Sequence, residues 1–97
     1  ATAKAMANEA LRNKAYGETA EIQAERGDAE KAMLSIAEIS SISYRNKAYG
    51  NVANIFTKTG RLDDAYAAAH RIENAYAKAQ VLQKIVNFGN KEETLNE

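Results

Sequence analysis

Two lysines, Lys14 and Lys47, stand thirty-three residues apart inside the same six-residue string, Arg-Asn-Lys-Ala-Tyr-Gly, at 12–17 and 45–50. One cation presented per repeated unit suits reading a partner in register. It does not suit turning over a substrate. The other chemistry-bearing residues point the same way. His70 is the sole histidine, and no serine in a strained turn or Gly-rich phosphate loop lies near it to make a nucleophile or a phosphate cradle. The adjacent acids Asp63-Asp64 and Glu92-Glu93 point in different directions on a helix, so neither pair forms a catalytic dyad or a metal site. There is no cysteine, hence no disulfide, thiolate metal site or thiol nucleophile. No enzyme activity, no cofactor and no metal are expected. Of the five tyrosines, Tyr16 and Tyr49 fall at positions suited to a core. Tyr66 and Tyr76 are expected at the surface, where tyrosine is a common interface anchor.

The elements that position these residues follow from the repeat. Residues 12–42 aligned with 45–75 give 11 identities in 31 positions without a gap, against roughly 2 or 3 by chance. A fixed period of this size marks a repeat architecture in which each repeat is one supersecondary unit. The chain has no proline, and alanine, glutamate, lysine and glutamine are abundant, so helix is favoured nearly throughout. Apolar spacing predicts helices over about 10–25, 28–41, 44–58, 61–73 and 75–88. Gly27 and Gly60 are suited to left-handed helix stops, Asp28 can cap the following helix, and Gly89 is expected to end the last one. The Ser-rich stretch 38–43 reads as a helix end and turn. Residues 1–9 read as the tail of a preceding unit's second helix. Unit one then covers 10–43, unit two 44–74, and 75–97 is a partial third unit. By this phase the chain starts, and on one reading stops, in mid-repeat.

Composition bounds the function. Lys+Arg and Asp+Glu are 13 each, and the two halves of the chain are balanced as well. No basic excess suggests nucleic acid. No apolar run is long enough for a membrane span. The apolar content is 45% but rich in alanine, with two Phe and no Trp, so the core is thin. Nothing fixes the compartment.

The units resemble the tetratricopeptide repeat, a helix–turn–helix of similar length. In unit two, Tyr49, Val52-Ala53, Phe56, Gly60, Leu62, Ala65, Ala69 and Ile72 stand at its consensus positions. Unit one matches through Tyr16, Ala20, Gly27, Ala32, Ile36 and Ile39, with Gln23 at a position that wants an aromatic. Each unit is one residue short, and the closing proline is absent. Ankyrin repeats share the period but not the Thr-Pro-Leu-His start. Pentatricopeptide repeats share the hairpin, but their RNA role wants a basic groove.

The resemblance implies an all-α fold of antiparallel helical hairpins stacked as a short right-handed α-solenoid. It implies a groove lined by the first helix of each unit. Carried over residue by residue, the groove positions are Lys14, Gly17, Glu21 and Glu25 in unit one. Unit two supplies Lys47, Gly50, Asn54, Thr57 and Lys58, and the third first-helix supplies Gln80, Gln83 and Asn87. Chaperone-binding members of that family clamp a carboxylate with Lys and Asn. Lys14, Lys47, Asn54 and Asn87 resemble that set, while Glu21 and Glu25 would repel an acidic peptide. The expected role is a protein–protein interaction scaffold that binds a peptide or helix of another protein in this groove. A small helical regulator, inhibitor or immunity-type protein acting through an outer face is the alternative. The unpaired terminal helices also offer a route to self-association.

Overall fold

The computed structural model describes residues 3–96, with side chains through Asn90. Five helices account for nearly all of it: α1 (Ala3–Glu25), α2 (Ala29–Ala37), α3 (Ile42–Lys58), α4 (Leu62–His70) and α5 (Ala75–Asn96). The described residues contain no strand. α2 and α4 each begin thirty-three residues apart and run for 9 residues, and α3 and α5 begin thirty-three apart as well. The Cα atoms extend 58 × 28 × 15 Å. α1 packs on α2 and α3, α3 packs on α4 and α5, and α2–α3 and α4–α5 contacts join the pairs.

Two glycines make the hairpin turns. Gly27 (φ 81°) and Gly60 (φ 80°) are the positive-φ residues, in a region that other L-residues enter at a cost of ~1–2 kcal/mol. Each closes a Schellman motif with the same bonds one period apart. The Asp28 amide donates to Gln23 O and the Gly27 amide to Ala24 O, both at 2.9 Å. The Arg61 amide donates to Phe56 O at 2.7 Å and the Gly60 amide to Thr57 O at 3.1 Å. The Asp28 carboxylate accepts from the Lys31 amide at 3.3 Å and so caps α2 as its type predicts. Arg61 takes that place before α4 with no side-chain cap. Its guanidinium instead pairs with Asp64 at 3.2 Å and lies over Gly27. Ser41 and Asn74, again one period apart, cap α3 and α5 through the Tyr44 and Ala77 amides.

The core repeats with the same period. Ala20/Ala53, Ala32/Ala65 and Ile39/Ile72 are buried in both units, and Val52/Ile85 carry the series onto α5. Small residues at these sites let helix axes approach closely. The large buried side chains are few: Phe56, Ile36, Ile39, Ile72, Ile85 and Val52. At ~1.5–3 kcal/mol each they supply most of the directed packing.

The helix limits differ from the sequence expectation at both ends. α1 begins at Ala3, so residues 3–9 belong to it and are not the end of a separate second helix. Nothing in the Ala-rich stretch around Ala10 breaks a helix, so the helix continues through it. α5 passes through Gly89 without a positive φ and runs to Asn96, so the 75–88 limit is also corrected. A glycine permits a stop but does not impose one. α2 and α4 are shorter than 28–41 and 61–73, because residues 38–41 and 71–74 form the linkers. The side chains of Glu92 and Glu93 lie outside those described.

Candidate functional site

The second residue of the doubled string has a structural task. Asn13 is 4% exposed, and its carboxamide oxygen accepts from the Ser40 amide at 3.1 Å while its Nδ2 donates to Ser40 Oγ at 3.2 Å. One period on, Asn46 Oδ1 accepts from the Glu73 amide at 2.9 Å. Each asparagine ties the linker after its own second helix back to the first helix. Arg45 reaches both linkers, donating to Ile39 O in the first at 2.8 Å and pairing with Glu73 in the second at 3.5 Å. These bonds fix the spacing of α1, α3 and α5.

Two troughs lie between the helices so spaced. The first, about 250 Å³, is lined by Asn13, Lys14, Gly17, Glu18, Glu21, Tyr44, Lys47, Ala48 and Asn51. The second, about 610 Å³, lies between α3 and α5 and is partly floored by the α4–α5 linker. Adding thirty-three to each of the nine residues of the first gives Asn46, Lys47, Gly50, Asn51, Asn54, Ala77, Gln80, Val81 and Lys84. All nine line the second. The troughs are therefore successive copies of one surface, and Lys47 and Asn51 border both.

Lys14, Gly17, Glu21, Lys47, Gly50 and Asn54 are thus gathered into this surface, with Gln80 and the buried Thr57. Gln83, Asn87 and Lys58 are not. Gln83 donates to Asn87 at 3.0 Å on an exposed face of α5. These two are the one-period equivalents of Gly50 and Asn54, which stand on the flank of α3 turned toward α5. On α5 the same flank meets no further helix among the described residues. Lys58 stands by Thr59, Gly60, Leu62 and Phe88 at the α3–α4 turn, off the troughs. The helix turns ~100° per residue, which carries it past the groove.

Tyr76 is 74% exposed at the mouth of the second trough, its hydroxyl accepting from Gln80 Nε2 at 3.1 Å. Tyr66 is half-buried, reaching the surface with one side while the other packs against the core. Tyr49 is buried and Tyr16 packs half-buried against the same core. The helical glycines do not serve close packing. A Cβ on Gly17 would meet nothing within 4 Å, and one on Gly50 only Val81 Cγ2 at 3.7 Å. They floor the troughs.

Sequence reasoning missed Asn51 and Lys84. Both were within reach of it. Asn51 follows the doubled string directly, and Lys84 is its one-period equivalent. A second hollow, about 300 Å³, lies between α2 and α4, lined by apolar Ala29, Met33, Leu34, Ala37, Phe56 and Ala67 with polar residues at its rim. His70 is exposed in the last turn of α4. Among the described residues, no three His, Asp or Glu side chains gather to hold a metal ion, and no helix is long and apolar enough to cross a membrane. No family model, curated protein or solved structure matches the chain.

Proposed function

We propose that this chain is a tetratricopeptide-like α-solenoid that acts as a non-catalytic scaffold, taking a peptide of a partner protein in the troughs along α1, α3 and α5. The observation that carries this reading is the one-period correspondence of all nine lining positions. A surface that repeats in step with the fold presents equivalent positions at a regular spacing, with Asn, Lys and Gly repeated identically at 13/46, 14/47 and 17/50, and an extended chain offers a regular spacing in return. The polar groups there are available. Among the described residues, the side chains of Asn51 and Asn54 make no hydrogen bond and Lys47 makes no ion pair. The balanced net charge favours a protein over a nucleic acid as partner.

The α2–α4 hollow supports a second reading, a regulator acting through its outer face, because Leu34 beside it is 63% exposed. Two variants separate the readings. Lys47→Glu with Asn54→Ala should abolish partner binding, and Leu34→Asp should leave it intact, both measured by titration against the partner recovered by photo-crosslinking from Asn54. Binding that survives the first and is lost with the second moves the function to the outer face.

A further inference from the structure

The two troughs match in position but not in charge. At the two places where the first carries Glu18 and Glu21, the second carries Asn51 and Asn54. The first trough therefore holds two lysines and two glutamates. Lys14 Nζ already lies 4.0 Å from Glu18 Oε1. The second is lined by fifteen residues, among them Lys47 and Lys84, with no carboxylate. Neither lysine has an ion-pair partner among the described residues. Its volume of about 610 Å³ lies within the ~300–1,000 Å³ usual for a ligand pocket.

Building on the scaffold reading, we infer that the α3–α5 trough alone is the binding site, and that it takes an internal, extended peptide segment bearing acidic side chains. Lys47 and Lys84 stand on opposite walls, one on α3 and one on α5, and attract its carboxylates. The uncommitted amides of Asn51 and Asn54 on α3 bond its main chain, to which a carboxamide offers both donor and acceptor. Tyr76 at the mouth covers an apolar side chain. The first trough is self-neutralised: Glu18 occupies Lys14, and Glu21 repels the same acidic segment. One trough is thus open and its copy is closed by two residues.

The test is selection from a displayed library of random peptides of about eight residues, enough to run the ~21 Å that α3 presents between Ser43 and Thr57. The selected peptide is then synthesised with both ends blocked and titrated calorimetrically and by amide chemical shift. The expected peptides are enriched in Asp and Glu, bind once per chain, and shift Asn51, Asn54, Gln80 and Lys84. Lys84→Glu should weaken binding about tenfold, a change the first trough does not feel. Glu18→Asn with Glu21→Asn should open the first trough and raise the stoichiometry to two. Peptides that shift the trough residues without acidic enrichment overturn this inference and leave the scaffold reading standing. Shifts confined to α2 and α4 overturn both. Tighter binding of a single-stranded RNA of equal length, or no peptide bound at millimolar concentration, also overturns the inference.

Discussion

In the second hairpin Phe56 and Ala68 are both fully buried; in the first the same two places hold Gln23 and Ser35, whose side chains hydrogen-bond at 2.7 Å. The backbone around them is shared: the same Schellman turns, the same start of the second helix, the same asparagine tie to the linker. One frame therefore accepts either an apolar pair or a hydrogen-bonded one. Small residues, glycines and main-chain bonds hold the frame, and the larger side chains are interchangeable fillings. The polarity of the first hairpin continues onto its trough, where Glu18 and Glu21 replace the asparagines of the second.

The largest test of that contrast is truncation of the two fillings. Phe56→Ala should cost about 3–5 kcal/mol, the lost transfer energy plus an unfilled cavity. That is a large share of the ~5–15 kcal/mol available to a small domain. Gln23→Ala removes one partly exposed hydrogen bond and should cost about 1 kcal/mol. Denaturant midpoints at constant slope measure both. Equal losses would show that the hairpins are energetically alike and that Gln23–Ser35 substitutes fully for Phe56. Gln23→Phe with Ser35→Ala sharpens the point, since raised stability is expected only if the two sites are true equivalents.

A smaller contrast lies in the linker ties. Asn13 is buried and bonds both the backbone and the hydroxyl of Ser40, whereas Asn46 is half-buried and bonds only the backbone of Glu73, beside the Arg45 pair. Asn13→Ala empties a buried side-chain site and leaves the part-buried Ser40 amide without its acceptor, which should cost about 2 kcal/mol, Asn46→Ala about 1 kcal/mol or less. Native-state hydrogen exchange at Ser40 and Glu73 reads each tie directly. Faster exchange at Glu73 than at Ser40 in the respective variants would reverse the ranking.

How much of this was legible beforehand follows from where the information sits. The period, the two glycine stops, the Asp28 cap and the linker at Ser40 are local, and each was readable from residue type and spacing. Groove membership was half-readable: Lys14, Gly17, Glu21, Lys47, Gly50 and Asn54 were carried over from the resemblance, and they line the troughs. The same carry-over took in Gln83 and Asn87, whose flank of α5 faces no further helix among the described residues. Helix ends at Ala3 and Asn96 were missed for a related reason. Helix-favouring composition continues past the packed region, and no local residue marks where tertiary support ceases. The role of Asn13 and Asn46 was hidden because their partners lie 27 residues away in the chain.

The smallest predicted effects concern the glycines that close the doubled string. A helical glycine costs roughly 0.5–1 kcal/mol relative to alanine through backbone entropy. Gly17 has open space around an added methyl, and on Gly50 the methyl would rest at ordinary contact distance from Val81. Gly17→Ala and Gly50→Ala should therefore each stabilise the fold by about 0.5–1 kcal/mol, equally in the two hairpins, by thermal or denaturant unfolding. Binding should split them, because the added methyl intrudes on the open α3–α5 trough in one case and on the closed α1–α3 trough in the other. Gly50→Ala is expected to raise stability and lower peptide affinity, whereas Gly17→Ala raises stability alone. A loss of stability in Gly50→Ala would mean that α5 approaches α3 more closely than 3.7 Å from that methyl allows. Equal effects of both on affinity would mean that both troughs are in use, and the charge difference between them would then have to act on something other than access.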